Sequence, residues 1–175
     1  MKVLVIQQRM GIGDMIIFLP YIHAISKKFQ SKVSLLVKKS SKAEDLCADD
    51  ECVGEIINLD INKDGSGRHN GLVGFFRLAR EIKGKKFDKI FIFNGSLKFF
   101  FLAKLAEIKS INQYPLFIRK DNIVLTAKNF TEKFIEADVL IQPNLFLNQH
   151  KIDKAKNKYK FDNNLKHVCI GFSAS

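Results

Sequence analysis

The sequence predicts an α/β fold, a Rossmann-like parallel sheet with helices on both faces. Three observations carry that expectation. Short β-branched runs alternate with longer stretches of helical spacing. Several runs are apolar throughout rather than alternating, as strands covered on both faces must be. The first run, residues 3–6, leads through Gly11-Ile12-Gly13-Asp14 into an apolar helical stretch. Such strand–turn–helix junctions are where parallel sheets bind ligands, and glycines there let a ligand approach the backbone.

Residues 2–7 read as the first strand and 14–29 as the first helix. Pro20 lies inside that helix and has no N–H for the carbonyl of Ile16, so a kink is expected. Lys27 and Lys28 suit the helix C-terminus. Residues 33–37 form the second strand. Ser40 or Ser41 caps a short helix through Cys47, and 55–59 form the third strand. Residues 60–71 are polar, glycine-rich and aperiodic, and predict a long mobile loop.

Leu72, Phe75, Phe76, Ala79 and Ile82 recur at helical spacing, with Arg77, Arg80 and Glu81 opposite. Residues 87–93 form the fourth strand. Asn94-Gly95-Ser96 turns it into a helix over 97–108, apolar almost all round and therefore expected to be well buried. A fifth strand over 110–114 stops at Pro115. A further short strand is expected over 123–126 and a helix over 128–140. Gln142-Pro143-Asn144 breaks the chain. A basic stretch over 150–160 carries a weak stripe of Ile152, Ala155 and Tyr159, and 166–172 opens a new strand. The expected organisation is a domain over 1–147, a basic linker or helix over 148–165, and the start of a second domain over 166–175.

The chain has 175 residues, 46% hydrophobic and 27% charged, enough for a domain with a sizeable core. No apolar run nears the roughly 18 residues of a membrane span. The apolar start is too short for a signal peptide, so the expected location is cytoplasmic. Three cysteines without C-x-x-C spacing and four scattered histidines predict neither a disulfide framework nor a metal site. The net charge of +11 fits anionic partners such as nucleotide sugars, phosphorylated lipid or a membrane surface; a plain lysine-rich compositional bias fits it equally. The lysines are spread along the chain with no basic–aromatic motif, which argues against nucleic acid. Gly11 and Gly13 begin a G-x-G-x-x-G pattern, but its third glycine is replaced by Ile16. The second strand also ends in Val37-Lys38-Lys39 rather than an acid, which argues against a dinucleotide cofactor.

Right-handed crossovers make the first and fourth strands neighbours where the strand order reverses. The turns at Gly11, Gly13 and Asp14 and at Asn94, Gly95 and Ser96 then face one crevice. Asp14 is a candidate general base, held ionised by the helix N-terminus; its alternative is a plain helix cap. Asn94, Gly95, Ser96 and Lys98 are candidates for a polar or phosphorylated ligand, against a simple turn with Ser96 as cap. Lys63, Arg68 and His69 on the glycine-rich loop are candidates for an arm that closes on an anionic acceptor, against a solvated loop.

Two segments together resemble the N-terminal domain of glycosyltransferase family 9, the lipopolysaccharide heptosyltransferases. One is the opening strand, Gly11-Ile12-Gly13-Asp14 and the apolar segment with Leu19-Pro20. The other is Phe87-Asp88-Lys89-Ile90-Phe91-Ile92-Phe93-Asn94-Gly95-Ser96-Leu97-Lys98. The resemblance covers most of the chain; residues 115–160 match only in character. It implies a GT-B fold whose N-terminal half takes the acceptor and whose C-terminal half takes the nucleotide sugar. It implies inverting transfer of a sugar, as from ADP-heptose, to a lipopolysaccharide core precursor or similar anionic glycolipid. It implies Asp14 as base, no cofactor beyond the nucleotide-sugar substrate, and work at the cytoplasmic face of the inner membrane. Val168-Cys169-Ile170-Gly171-Phe172-Ser173-Ala174-Ser175 resembles the first strand and turn of the donor-binding half. The expectation is therefore a half enzyme inactive by itself, with a non-catalytic binding module for an anionic ligand as the alternative.

Overall fold

The computed structural model describes residues 1–115 and 122–159. The strand expected over 166–172 and the domain start over 166–175 lie outside the described residues. The chain divides into two units, Met1–Leu145 and Phe146–Ser175.

The first unit is a five-stranded, fully parallel sheet: β1 (Val3–Gln7), β2 (Val33–Val37), β3 (Val53–Asn58), β4 (Lys89–Ile92) and β5 (Ser110–Gln113). Its spatial order is β3-β2-β1-β4-β5. The order reverses beside β1, so β1 and β4 are the central neighbours, paired Val3 to Lys89 through Ile6 to Ile92. Every residue of β1 is buried, which is why that segment is a solid apolar run.

The alternation of β1 sorts the core into two halves. Val3 and Val5 face the layer of α1 (Ile12–Phe29) and α5 (Ile123–Ile135). Leu4 and Ile6 face the layer of α3 (Gly71–Gly84) and α4 (Leu97–Leu105). A short α2 (Ala43–Leu46) follows a 3-10 turn at Lys39–Ser41. Helix α1 runs through Pro20 as one element and ends at Gln30 in the left-handed region, with Lys27 and Lys28 in its last turn.

Four expectations are corrected. Residues 123–126 are the first turn of α5 rather than a strand. Asn122 Oδ1 accepts from the N–H groups of Val124 and Leu125, and this cap outweighs the strand preference of Ile-Val. That helix stops at Glu136 in the left-handed region, short of residue 140. Helix α4 is not well buried: Phe99, Leu102 and Ala103 meet the sheet while Leu97, Phe101 and Leu105 face outward. A helix lying on one sheet presents only one face to it, whatever its sequence does on the other.

The fourth correction concerns the loop before α3, which closes on itself through hydrogen bonds instead of standing open. Asp60 Oδ2 accepts from Arg68 N–H at 2.9 Å, and His69 Nδ1 accepts from Asp60 N–H at 3.1 Å. Asn70 bridges to both backbone groups of Asn62. Gly67 sits at the centre, where a Cβ would lie 2.4 Å from Asn70 Oδ1 and 2.6 Å from the Asp60 carbonyl. His69 is 3% exposed.

In the second unit, Gln149–Tyr159 forms α6, a lysine-rich helix with no buried residue. Among the described residues, no helix is long and apolar enough to cross a membrane.

Candidate functional site

The carboxyl ends of β1 and β4 leave the sheet side by side, and Phe93 N–H donates to the Ile6 carbonyl at 3.0 Å. The two sequence-marked turns therefore start from neighbouring strands at one end of the sheet. The reason is topological: the chain goes to one side of β1 for two strands and returns to the other.

At the first turn, Gly11 is the cap residue of α1 and Asp14 stands in its first turn. Asp14 is thus not the cap itself. Its Oδ2 accepts from Gly11 N–H at 3.3 Å, and its Oδ1 lies 3.9 Å from Arg9 Nη1. The side chain is 30% exposed, so the carboxylate is oriented yet reachable. Gly11 leaves little room: a Cβ there would lie 3.3 Å from Asp14 Oδ2. Gly13 has open space beside it.

At the second turn, Asn94 Oδ1 accepts from Ser96 N–H at 2.7 Å, and Ser96 Oγ accepts from Lys98 N–H at 3.3 Å as the cap of α4. Gln113 Nε2 donates to the carbonyls of both Asn94 and Ser96 at 2.9 Å. The turn of Asn94, Gly95 and Ser96 is thus tied to β5. The Lys98 side chain lines a groove between α3 and α4.

The loop candidates separate. Arg68 pairs with Glu81, whose other oxygen lies 3.4 Å from His69 Nε2. Lys63 instead lines a groove of about 450 Å³ over the carboxyl ends of β1, β2 and β3. Met10, Lys38, Lys39 and Asp60 share that groove, which adjoins the Gly11 turn along the chain. Three lysines against the single carboxylate of Asp60 give its lining a cationic excess suited to an anionic ligand.

Sequence reasoning missed four residues here. Lys38 and Lys39 counted only against a dinucleotide cofactor, although their place just after β2 was a sufficient signal. Arg9 precedes the glycine turn and approaches Asp14. Gln7 closes β1 with its amide nitrogen and oxygen buried and without a hydrogen-bond partner among the described residues. A polar side chain ending an otherwise apolar strand, next to a glycine turn, was the available signal.

One group among the described residues has the donor set for a cation. His23 Nε2, an Asp50 carboxylate oxygen and Cys52 Sγ lie within 4.8 Å of one another. Asp50 is already engaged, by His23 Nε2 at 2.7 Å and by the Cys52 N–H at 2.9 Å. Burial pushes the Cys52 thiol up. The cluster ties α1 to the start of β3, and no spacing in the sequence announces it.

No protein-family model matches the chain, and no curated protein matches it. Among solved structures it is similar to a family 9 glycosyl transferase from Veillonella parvula DSM 2008, with TM-score 0.69 and 15% identity over 93% of this chain and 51% of that one. It is also similar to E. coli ADP-heptose lps heptosyltransferase II, with TM-score 0.61 and 16% identity over 93% and 52%. A third is E. coli heptosyltransferase WaaC, solved with ADP-2-deoxy-2-fluoro heptose, with TM-score 0.54 and 13% identity over 76% and 48%. At these identities the likeness is one of fold: a parallel α/β lobe of the GT-B glycosyltransferase type. The chain spans about half the length of these structures.

Proposed function

We propose that this lobe is the acceptor-binding half of a sugar transferase of the heptosyltransferase kind, active when joined to a donor-binding half. The donor is a nucleotide sugar such as ADP-heptose, and the acceptor is an anionic glycolipid of the lipopolysaccharide core type at the cytoplasmic face of the inner membrane. The observation that carries the reading is Asp14: an oriented, half-buried carboxylate on a glycine turn where the strand order reverses, with a lysine-lined groove along the same sheet edge.

In this mechanism Asp14 takes the proton of the acceptor hydroxyl as that oxygen attacks the anomeric carbon. The new carbon–oxygen bond forms as the bond to the nucleotide diphosphate breaks. The leaving group departs with the electron pair from the face opposite to attack, which inverts the centre. Gly11 and Gly13 let the acceptor approach, Arg9 orients the carboxylate, and Lys38, Lys39 and Lys63 hold the acceptor's anionic groups. The Asn94-Gly95-Ser96 turn forms the other wall. Both lobes are needed to align donor and acceptor, because holding the reacting groups in line removes a large part of the barrier.

The test is to supply a heptosyltransferase donor domain, fused or co-expressed, and assay transfer from ADP-heptose with the parent chain and with Asp14→Asn. A fall of roughly 10²- to 10⁴-fold in the variant, with acceptor binding kept, is expected for a lost general base. Undiminished transfer removes Asp14 from the chemistry. Acceptor binding that depends on Lys38 and Lys63, with no transfer by any pairing, leaves the lobe as a non-catalytic module for anionic ligands.

A further inference from the structure

Helices α3 and α4 carry six large apolar side chains turned away from the sheet. They are Leu72, Val73 and Phe76 on α3, and Leu97, Phe101 and Leu105 on α4. Leu72 is 78% exposed, Phe76 57% and Phe101 54%. The α4 residues recur every fourth position, opposite the buried Phe99, Leu102 and Ala103. Between the helices lies a groove of about 740 Å³, lined by Phe75, Phe76, Phe101 and Leu105 together with Lys98 and Lys104. Soluble surfaces rarely keep so many large apolar groups together without an occupant.

Charge selects the occupant. Lys98 and Lys104 line the groove, and Arg77 and Arg80 stand exposed on α3. Among the described residues no carboxylate lines it. The nearby acids are engaged elsewhere, Glu81 with Arg68 and Glu107 with Lys83 at 2.5 Å. A second copy binding through the same face would set these cations against themselves, because a two-fold contact brings a patch against its own image. An apolar surface rimmed by cations on long apolar stems instead matches a lipid–water boundary with negative headgroups.

We propose that the α3–α4 face docks onto an anionic phospholipid bilayer. Phe76 and Phe101 enter the boundary between headgroups and acyl chains, and Lys98 and Lys104 reach the headgroup phosphates. This surface is distinct from the Asp14 turn and would bind lipid whether or not the lobe transfers sugar.

Flotation of the full chain with vesicles tests it, using phosphatidylglycerol mixed with phosphatidylcholine against phosphatidylcholine alone. Binding to the anionic vesicles, at least about tenfold weaker for Phe76→Glu and for Phe101→Glu, is expected from moving one aromatic ring out of the bilayer boundary. Lys98→Gln with Lys104→Gln should lower binding to anionic vesicles and flatten its salt dependence. Both Phe sites are exposed, so circular dichroism should show an unchanged fold. Vesicle binding that ignores these substitutions overturns the proposal, as does equal binding to neutral vesicles. A dimer without lipid that Phe101→Glu dissolves also overturns it in favour of a second copy. Asp14→Asn should leave flotation unchanged, which separates this outcome from failure of the transferase reading.

Discussion

The two faces of the sheet use the same kind of apolar helix and end in opposite conditions. Under α1 and α5 the layer is closed. Phe93 stands at its centre, edge-on to Phe18 at 5.0 Å, Phe130 at 5.2 Å and Tyr114 at 5.5 Å. Tyr21 seals the edge by donating from its hydroxyl to the Val124 carbonyl at 2.8 Å. Under α3 and α4 the inner half of each helix is packed as tightly, but the outer half is apolar and open. Aromatic side chains close a core where three elements converge and mark a docking surface where only two do. Hydrophobic content alone does not distinguish the two.

The sharpest way to break this comparison is a pair of truncations. Phe93→Ala should cost about 3–5 kcal/mol in urea unfolding, because it opens a cavity in a packed aromatic cluster. Phe101→Ala, on the open face, should stay within about 0.5 kcal/mol. Equal losses would mean that the α3–α4 face is closed in solution.

Gly74→Ala comes next. A Cβ at Gly74 would lie 2.4 Å from the His69 backbone carbonyl carbon and 2.7 Å from its Cα, so α3 and the preceding loop must part. Alanine favours a helix interior by about 1 kcal/mol over glycine. The overpacking should outweigh that gain, for a net loss of about 1–2 kcal/mol, and should speed amide exchange in residues 60–70. A stabilised variant would show the loop to be loosely attached.

On the closed face, Glu132 pins the chain after α5. It accepts from Lys128 and, through Oε1, from Val139 N–H at 2.8 Å. These contacts hold its pKa below the ordinary value of 4.5, the Lys128 hydrogen bond most of all. A depressed carboxylate adds stability that is fully present above 4.5 and is lost as pH falls through the lowered folded value. Glu132→Gln should therefore lower stability at neutral pH and flatten its decline below pH 4.5. An unchanged acid limb would show the contact to be without weight.

The smallest effect separates two thiols. Burial, then the nearby Asp50, pushes Cys47 up to about 12, and burial also raises the more exposed Cys52. At pH 8 alkylation should reach Cys52 before Cys47, which is spared until the fold opens. Equal reactivity would place Cys47 outside the closed core.

Much of the frame was legible because it rests on local signals. Short apolar stretches at residues 3–6, 35–37 and 90–93 read as strands buried on both faces. The Gly11 turn marks a helix start, and crossover handedness then makes β1 and β4 neighbours. The strand expected over 123–126 is a helix start because Asn122 Oδ1 caps the Val124 and Leu125 N–H groups. The closure of the 60–71 loop was not legible because it comes from pairs eight and nine residues apart, Asp60 with Arg68 and His69, and Asn62 with Asn70.

The sequence by itself determined the layer order, the switch-point turns and the position of Asp14, since periodicity, glycine and chirality act over a few residues. Only the tertiary structure decided which apolar residues are core and which are surface. It also drew Lys38, Lys39 and Lys63 onto one groove and turned Arg68 to Glu81. Those outcomes depend on which elements meet in space, and burial belongs to the assembled layers rather than to any segment alone.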